Sequence, residues 1–435
     1  MKIAKRNKRD LKEFSVPKRI KVKISLSLLE YQKLCIGRVS QSMDEKWDDF
    51  IEEDTITCYR SWTGNPIFQA KIKQISESKY VITEFIAETD QERITINTDD
   101  AFKSMFKSHI SYLTSREIRN SIEDALIGFI TADALGVPVE FKSRDYLKQY
   151  PISEMIGYGT YNQPKGTWSD DSTMTLCLAE SLLDEEFSLK KLANRFINWV
   201  DWGYWTPHGE LFDIGNTTNA AIERLRTIDD PKLAGGKHET ENGNGSLMRV
   251  LPLVFEIYDV RDEEEQFKTI RDVSSLTHAH DRSILSCFYY LTLARFLRGH
   301  EYPPMEMYKL TNNVFKRFVD KQSIDKNELK HFDRLINDSI QDLDESKIRS
   351  TGYVIDTLEA AVWCLLTTKN YRDAVLKAVN LGEDTDTVAA ITGGLAGLYY
   401  GIGQIPENWI NSLVKLEEIN ELIDKLSNKY GEARC

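Results

Sequence analysis

Two clusters of carboxylates, far apart in the chain, are the features of the sequence most suggestive of chemistry. Each has two carboxylates and a hydroxyl directly before an apolar stretch: Ser169, Asp170 and Asp171 in one, Asp384, Asp386 and Thr387 in the other. Such residues also cap helices, because they accept hydrogen bonds from first-turn amides. A cap needs only one of them, and paired carboxylates repel each other unless a cation or shared proton intervenes. Since hard oxygen donors favour Mg²⁺, Mn²⁺ or Ca²⁺, the sequence predicts one shared dinuclear site.

A further carboxylate follows a turn in the segment from Gly128 to Phe141. Small residues predict a helix that ends at Gly136, and Pro138 prevents its continuation. Glu140 then lies in an apolar neighbourhood, as either an exposed surface residue or a carboxylate that projects into a site. Asp133, within the helix, is expected to bond to the backbone near the turn.

Two glycine-containing loops precede predicted helices. The first is Asn-Gly-Asn-Gly-Ser-Leu-Met-Arg at 242–249, with a helix expected over Leu247–Phe255, and the second begins at Phe212. Backbone amides exposed before a helix suit a phosphate. Turns before helices are common, so these loops alone are weak evidence of a ligand.

A third loop, Thr-His-Ala-His-Asp at 277–281, allows a different interpretation. His280 and Asp281 could belong to a His-Asp metal phosphohydrolase. Such an enzyme needs a further histidine upstream, and His208 and His238 lie in Gly/Pro-rich loops that supply it poorly. This hypothesis also leaves the paired acids unexplained.

The hydrophobic pattern predicts a mainly α protein. From Ser115 onward apolar residues recur at helical spacing, beginning with one helix over about 115–130, and predict an all-α domain over residues 115–435. Residues 24–114 alternate like strands and predict a smaller N-terminal α/β or α+β domain. Residues 1–23 carry ten Lys/Arg and two acids, a net charge of +8 (10 minus 2). We interpret them as a solvated basic arm or as an electrostatic latch onto an acidic partner.

The stretch from Thr387 to Pro406 has 20 uncharged residues, enough to span a bilayer. Acidic residues adjoin it, flanking basic residues are missing, and Gly393, Gly397 and Gly401 recur every four residues. These features favour a buried core helix that another helix approaches closely, with no membrane association.

The composition is ordinary for a globular protein. The 435 residues are 41% hydrophobic and carry a net charge of -12, which argues against nucleic acid as a partner. The six cysteines form no C-x-x-C pair, and the N-terminus lacks the apolar segment of a signal peptide. We therefore expect a cytoplasmic protein.

Together these motifs resemble those of the ADP-ribosylglycohydrolase family, which includes the dinitrogenase reductase-activating glycohydrolase and the ADP-ribosylarginine hydrolases. The resemblance covers roughly residues 118–405, with the motifs in the family order. Trp-Ser-Asp-Asp at 168–171 and Glu-Asp-Thr-Asp-Thr at 383–387 are its most specific part, followed by Gly-Asn-Gly-x-x-Met-Arg at 243–249. Ser169 and Ser172 stand where threonine is usual, and Ala132 replaces a usual glycine.

The resemblance implies an all-α fold with two Mg²⁺ ions, or Mn²⁺, in a central cleft. It implies metal ligation by Ser169, Asp170, Asp171, Asp384, Asp386 and Thr387. Contacts with the substrate are implied for Gly215, Asn244, Gly245, Ser246 and His278. The implied catalytic residues are Glu140, Asp171 and Asp384, with Glu140 as an acid/base or a switchable metal ligand.

The expected function is Mg-dependent removal of ADP-ribose from modified side chains of a protein substrate, above all from ADP-ribosylarginine. An alternative is an immunity or interaction protein whose N-terminal domain blocks an ADP-ribosyltransferase toxin. The two functions can coexist in one chain.

Overall fold

The computed structural model describes residues 11–36, 47–52, 54–76, 78–115, 119–260, 262–298, 302–322, 324–337 and 339–430. The chain divides into two compact units, with the boundary between Arg119 and Asn120. Tyr430, the last described residue, is grouped with the N-terminal unit. Residues 1–10 of the predicted basic arm lie outside the described residues.

The N-terminal unit contains an antiparallel sheet and two helices. The strands are β1 (Pro17–Ser27), β2 (Trp47–Glu52), β3 (Thr55–Arg60), β4 (Pro66–Lys71), β5 (Lys73–Ser76) and β6 (Lys79–Glu88), and the helices are α1 (Leu28–Ile36) and α2 (Asp99–Ser115). The strand order is β1-β6-β4-β3-β2, and β5 pairs with β6. Residues 17–23, which we predicted to lie in the basic arm, therefore belong to the sheet.

One face of this sheet carries the apolar core of the unit. Phe68 on β4 and Phe85 on β6 meet edge to face, and Phe106 of α2 packs on both rings. The predicted fold class is confirmed, and because every strand pair is antiparallel the N-terminal unit is α+β.

The C-terminal unit is helical. Its α-helices are α3 (Ser121–Gly136), α4 (Arg144–Gln149), α5 (Asp170–Ser181), α6 (Leu189–Trp202), α7 (Asn216–Leu225), α8 (Leu253–Ile257), α9 (Glu263–Ser274), α10 (Asp281–Leu297), α11 (Pro304–Lys321), α12 (Lys326–Leu329), α13 (Asp333–Ile336), α14 (Val354–Leu366), α15 (Tyr371–Val379), α16 (Thr385–Tyr400), α17 (Glu407–Ile410) and α18 (Leu416–Tyr430). The helix expected from residue 115 begins later, because the side chain of Asn120 caps α3 by accepting from the amides of Ile122 and Glu123.

Helices α3 and α16 form the centre of this unit and meet through glycines. A Cβ added at Gly393 would lie 2.4 Å from the carbonyl oxygen of Gly128, and one at Gly397 would lie 2.1 Å from that of Asp124. This backbone contact leaves no room for a larger residue, and it places the N-terminus of α16 beside the C-terminus of α3. Gly401, which we predicted to share the contact, instead ends the helix with a φ of 86°.

The stretch from Thr387 to Pro406 begins as a buried helix, as its glycine pattern predicts. No helix among the described residues combines the length and the apolar character needed to cross a bilayer.

Candidate active site

The acid motifs lie at the N-termini of α5 and α16, yet their carboxylates are not needed as caps. Ser169 caps α5 by accepting a hydrogen bond from the amide of Asp171. Asp384 stands at the N-cap position of α16 without a side-chain capping bond. The Asp170, Asp171 and Asp384 carboxylates are therefore available for another task.

Backbone pairing between two loops positions Glu140. The amide of Phe141 donates to the carbonyl of Glu383 (2.6 Å), and the amide of Glu383 donates to the carbonyl of Lys142 (2.7 Å). Phe141 and Glu383 both have a φ of 63°, a conformation that ordinary residues adopt only when their surroundings enforce it. Arg144 also stabilises this loop conformation, because its guanidinium donates to the carbonyls of Leu381, Glu345 and Ile348.

Three carboxylates converge at this junction. One oxygen each from Glu140, Asp384 and Asp386 lies within 4.8 Å of the other two. Asp170 and Asp171, on the neighbouring helix α5, lie close enough to repel this group electrostatically. The two motifs, separated by more than two hundred residues in sequence, thus form one cluster.

Burial and mutual repulsion raise the pKa values of the clustered carboxyls. Burial, followed by the charges of Asp213 and Asp384, raises the pKa of Glu140 to about 9. Burial, followed by the charges of neighbouring carboxylates, holds the pKa of Asp170, Asp171 and Asp386 well above the usual range. Ionisation of all these carboxyls at neutral pH is unfavourable unless protons or cations compensate for their negative charge.

The donor set suits a hard divalent cation. Among the described residues, Oε2 of Glu140 and Oδ2 of Asp171 are buried and have no hydrogen-bond partner. A buried unsatisfied oxygen costs about 1–3 kcal/mol, and more when it is charged. Because the converging ligand atoms are all oxygens, the residues fit Mg²⁺, Mn²⁺ or Ca²⁺ better than a softer metal.

Asp133 fixes the N-terminus of α5. Its carboxylate accepts from the amides of Ser169 and Ser172, and from the hydroxyl of Ser172 at 2.5 Å. Asp133 thus bonds to backbone, as predicted, but to the start of α5 and not to the turn at Gly136–Pro138. Burial raises its pKa to about 6, whereas these hydrogen bonds act to lower it. Asp133 is therefore a positioning residue for Asp170 and Asp171.

Two further residues of the cluster were not predicted. Asp213 is among the nearby charges that act on Glu140, Asp170 and Asp386, and Tyr161 hydrogen-bonds with both Glu140 and Asp213. The sequence signal for Asp213 is the Phe-Asp-Ile-Gly-Asn segment, which by itself predicts only a loop before a helix. Nothing in the sequence marks Tyr161, which lies in an irregular stretch.

The glycine-containing loop at 242–249 contacts the carboxylate cluster through a side chain, whereas its sequence suggests exposed backbone amides. The side-chain amide (Nδ2) of Asn244 donates to Oδ2 of Asp384 at 2.8 Å and to the hydroxyl of Thr357 at 3.0 Å. The side chain of Ser246 is buried, with its hydroxyl 3.5 Å from the sulfur of Cys287. The prediction of one helix over Leu247–Phe255 is wrong, because this segment is a 3₁₀ turn (Leu247–Arg249) followed by the five-residue α8.

His278 and Gly245 are neighbours. A Cβ at Gly245 would lie 2.7 Å from Cε1 of His278, and Nδ1 of this histidine lies 2.9 Å from the hydroxyl of Thr277. Burial and the nearby Arg249 lower the pKa of His278 to about 3, so its ring is neutral at physiological pH. Gly215 immediately precedes α7, two residues after Asp213, and is exposed.

His280, which was considered as a metal ligand together with Asp281, has a helix-capping role in the structure. His280 caps α10 by accepting from the amide of Arg282. Arg282 in turn pairs with Glu239 and Glu328, which surround the histidine. The carboxylates next to His280 are thus engaged with an arginine.

Comparison with known proteins concerns the C-terminal unit. The sequence model of the ADP-ribosylglycohydrolase family matches residues 114–434. An ADP-ribosylarginine hydrolase Tri1 of Serratia proteamaculans (strain 568) is 33% identical over 316 residues, covering 71% of this chain and 80% of that protein. The ADP-ribosyl-dinitrogen reductase glycohydrolase of Rhodospirillum rubrum is 26% identical over 319 residues, covering 72% and 98%. A solved structure described as an ADP-ribosylglycohydrolase-related protein complex shares 28% identity at a TM-score of 0.57, covering 72% of this chain and 99% of that chain.

Proposed function

Because the chain belongs to the ADP-ribosylglycohydrolase family, an enzyme family, we propose that it removes ADP-ribose from modified arginine side chains of proteins. The observation that carries the proposal is the convergence of Glu140, Asp384 and Asp386 within 4.8 Å. The cluster lies inside the region that the family model matches. The preference for arginine is supported by the Serratia relative, which is named an ADP-ribosylarginine hydrolase.

Two Mg²⁺ ions are part of the proposal. Asp170, Asp171, Asp384 and Asp386 would hold them, with the hydroxyls of Ser169 and Thr387. When bound, the ions would neutralise the buried charge, orient the ribose hydroxyls and lower the pKa of the attacking water. The unpaired Oδ2 of Asp171 supports this assignment.

The residues of the chain then have separate tasks. Asn244 orients Asp384 through its 2.8 Å hydrogen bond, and Asp133 orients the first turn of α5. Glu140, which hydrogen-bonds with Tyr161, would take a proton from the attacking water as the C–O bond forms at the anomeric carbon and give it to the leaving guanidine nitrogen as the C–N bond breaks. The neutral His278, with Gly245, lines the loop where the ribose or diphosphate would lie.

The substrate preference is tested with purified proteins that carry ADP-ribose on arginine, serine or cysteine. We expect release of free ADP-ribose from arginine in Mg²⁺ and little release from the other two. Chelation with EDTA should stop the reaction, and added Mg²⁺ should restore it. Equal release from serine and arginine would overturn the arginine preference, and full activity in EDTA would overturn the metal requirement.

The N-terminal unit supports a second function for the same chain. It has its own core and lies almost wholly before the family match, and none of the carboxylates of the candidate active site belongs to it. We propose that it binds and blocks an ADP-ribosyltransferase, with the basic residues before β1 as a latch. The cytoplasmic location likewise stays a prediction.

Blocking and hydrolysis can be separated in cells that produce an arginine-specific ADP-ribosyltransferase. If the N-terminal unit blocks the transferase, an inactive Asp384→Asn variant should still protect these cells. Loss of protection in a variant that remains folded and abundant would show that hydrolysis alone protects. Western blotting for the variant and for ADP-ribosylated proteins distinguishes these results.

A further inference from the structure

The N-terminal unit holds a second convergence of side chains that can bind a metal. Asp49 on β2 and Cys58 on β3 are directly opposed in the antiparallel register, so their side chains share one face of the sheet. Helix α2 packs on that face and contributes His109. A carboxylate, a thiol and an imidazole thus come from three different elements.

The three groups are close together and out of solvent. Oδ1 of Asp49 lies 2.7 Å from Nε2 of His109, and Cys58 hydrogen-bonds with the same carboxylate. One ligand atom from each residue lies within 4.8 Å of the other two. Ligands of a tetrahedral Zn²⁺ are separated by about 3.3–3.8 Å, given bond lengths of about 2.0–2.3 Å, so small side-chain movements would suffice. The exposed fractions are 0% for Asp49 and Cys58 and 7% for His109.

The surroundings leave this carboxylate incompletely satisfied. Oδ2 of Asp49 is buried and has no hydrogen-bond partner among the described residues. The ring of Trp47 lies against His109, and the cation of Arg60 is placed over the Trp47 ring. A buried carboxylate with one unpaired oxygen costs stability that a bound cation would recover.

We propose that Asp49, Cys58 and His109 form a structural site for a divalent cation of the zinc class. A sulfur, a nitrogen and an oxygen donor select Zn²⁺ or Co²⁺ over Mg²⁺. The site therefore differs in metal preference from the oxygen-only cluster around Glu140. Its consequence is a link between β2, β3 and α2 that stabilises the N-terminal unit, because metal binding adds to the free energy of unfolding.

A bound cation would change the protonation state of Cys58. Burial and the Asp49 charge keep the pKa of its thiol well above the ordinary value, so the metal-free thiol is protonated. Binding of a cation reverses the preference, since a coordinating thiol is deprotonated. Metal binding should therefore release a proton from Cys58.

The test uses the full chain produced in minimal medium with Co²⁺ as the probe, in Mg²⁺-containing buffer. We expect one equivalent of Co²⁺ to be retained, with the near-ultraviolet absorption of a thiolate–cobalt bond. Cobalt on the carboxylate cluster would not give this band, because that cluster offers only oxygen ligands. Protein produced with Zn²⁺ should likewise retain one equivalent and unfold at a higher temperature than protein stripped of metal.

Cys58→Ser should remove the band and the thermal shift. Cys35→Ser is the matched control, since Cys35 lies in the same unit outside the cluster, and it should leave both unchanged. If Cys58→Ser fails to fold, His109→Gln and the wild-type spectrum still decide the question. Absence of the thiolate–cobalt band in the folded wild-type protein overturns the proposal, as does a band that depends on Cys35.

Discussion

Asp384→Asn should lower the release of ADP-ribose by about a thousandfold or more at saturating Mg²⁺. Asparagine keeps the shape of the side chain and can still accept the hydrogen bond from Asn244. It removes the negative charge that lies among the other carboxylates of the cluster. The effect is large because a bound divalent ion contributes several kcal/mol of transition-state stabilisation, and each 1.36 kcal/mol is a factor of ten in rate.

The same substitution should not destabilise the metal-free protein. Removal of one charge relieves repulsion on Glu140 and Asp386, whose pKa values are raised partly by Asp384. We therefore expect the variant to unfold in EDTA at the same temperature as the wild type or above it. In Mg²⁺ the order should reverse, because only the wild type gains stability from the ions.

Glu383→Gln is the matched control for this experiment. Its side chain is exposed, and only its backbone takes part in pairing with Phe141 and Lys142. Activity and Mg²⁺ binding by calorimetry should match the wild type. Activity of Asp384→Asn within tenfold of the wild type would show that this carboxylate does not serve the reaction.

The part of the site that could be predicted consists of short motifs in which neighbouring residues act together. Asp170 and Asp171 stand next to each other, and Asp384 and Asp386 are two residues apart, so the repulsion that requires a cation is visible in the sequence. Asp213 and Tyr161 could not be found this way, since each contributes alone from an irregular loop. Their place depends on how those loops pack.

Asn244 shows a second limit of the motif argument. Its loop was predicted to bind a phosphate or ribose, which the exposed amides of a glycine-rich turn would allow. In the structure its side chain is committed to Asp384 and Thr357. An asparagine at this position predicts a polar contact. Whether its side chain contacts a ligand or a carboxylate depends on how the loop packs near α14 and α16.

The fold, like the site, could be predicted only in part from the sequence. The glycine spacing of α16 indicated a close helix contact, because a missing Cβ has a local consequence that does not depend on the partner. Which helix approaches is settled by Gly128 on α3, more than 250 residues away. In the N-terminal unit, Asp49, Cys58 and His109 have no recognisable spacing, and only the strand register and the packing of α2 on the sheet place them together.

Glu140→Gln should reduce turnover by about 10²–10⁴-fold, the usual contribution of a general acid or base. Glu140 comes from the turn after α3 and belongs to neither paired-acid motif. Its pKa of about 9 in the metal-free site shows how strongly burial and its acidic neighbours favour the protonated carboxyl. Bound cations would lower that pKa, because they offset the charges of Asp213 and Asp384, and would bring it nearer to the working range of an acid/base.

The measurement that identifies its role is Mg²⁺ affinity beside turnover. We expect calorimetry of Glu140→Gln to give a dissociation constant within about tenfold of the wild type, since the paired-acid motifs are intact. The pH–rate profile should also lose one limb, because the group that titrates in it is gone. If Mg²⁺ binding instead falls as far as in Asp384→Asn, then Glu140 is a metal ligand, and proton transfer must be assigned to another group of the cluster. Asp213 would be the first to test, since it shares Tyr161 with Glu140 and burial raises its pKa to about 6.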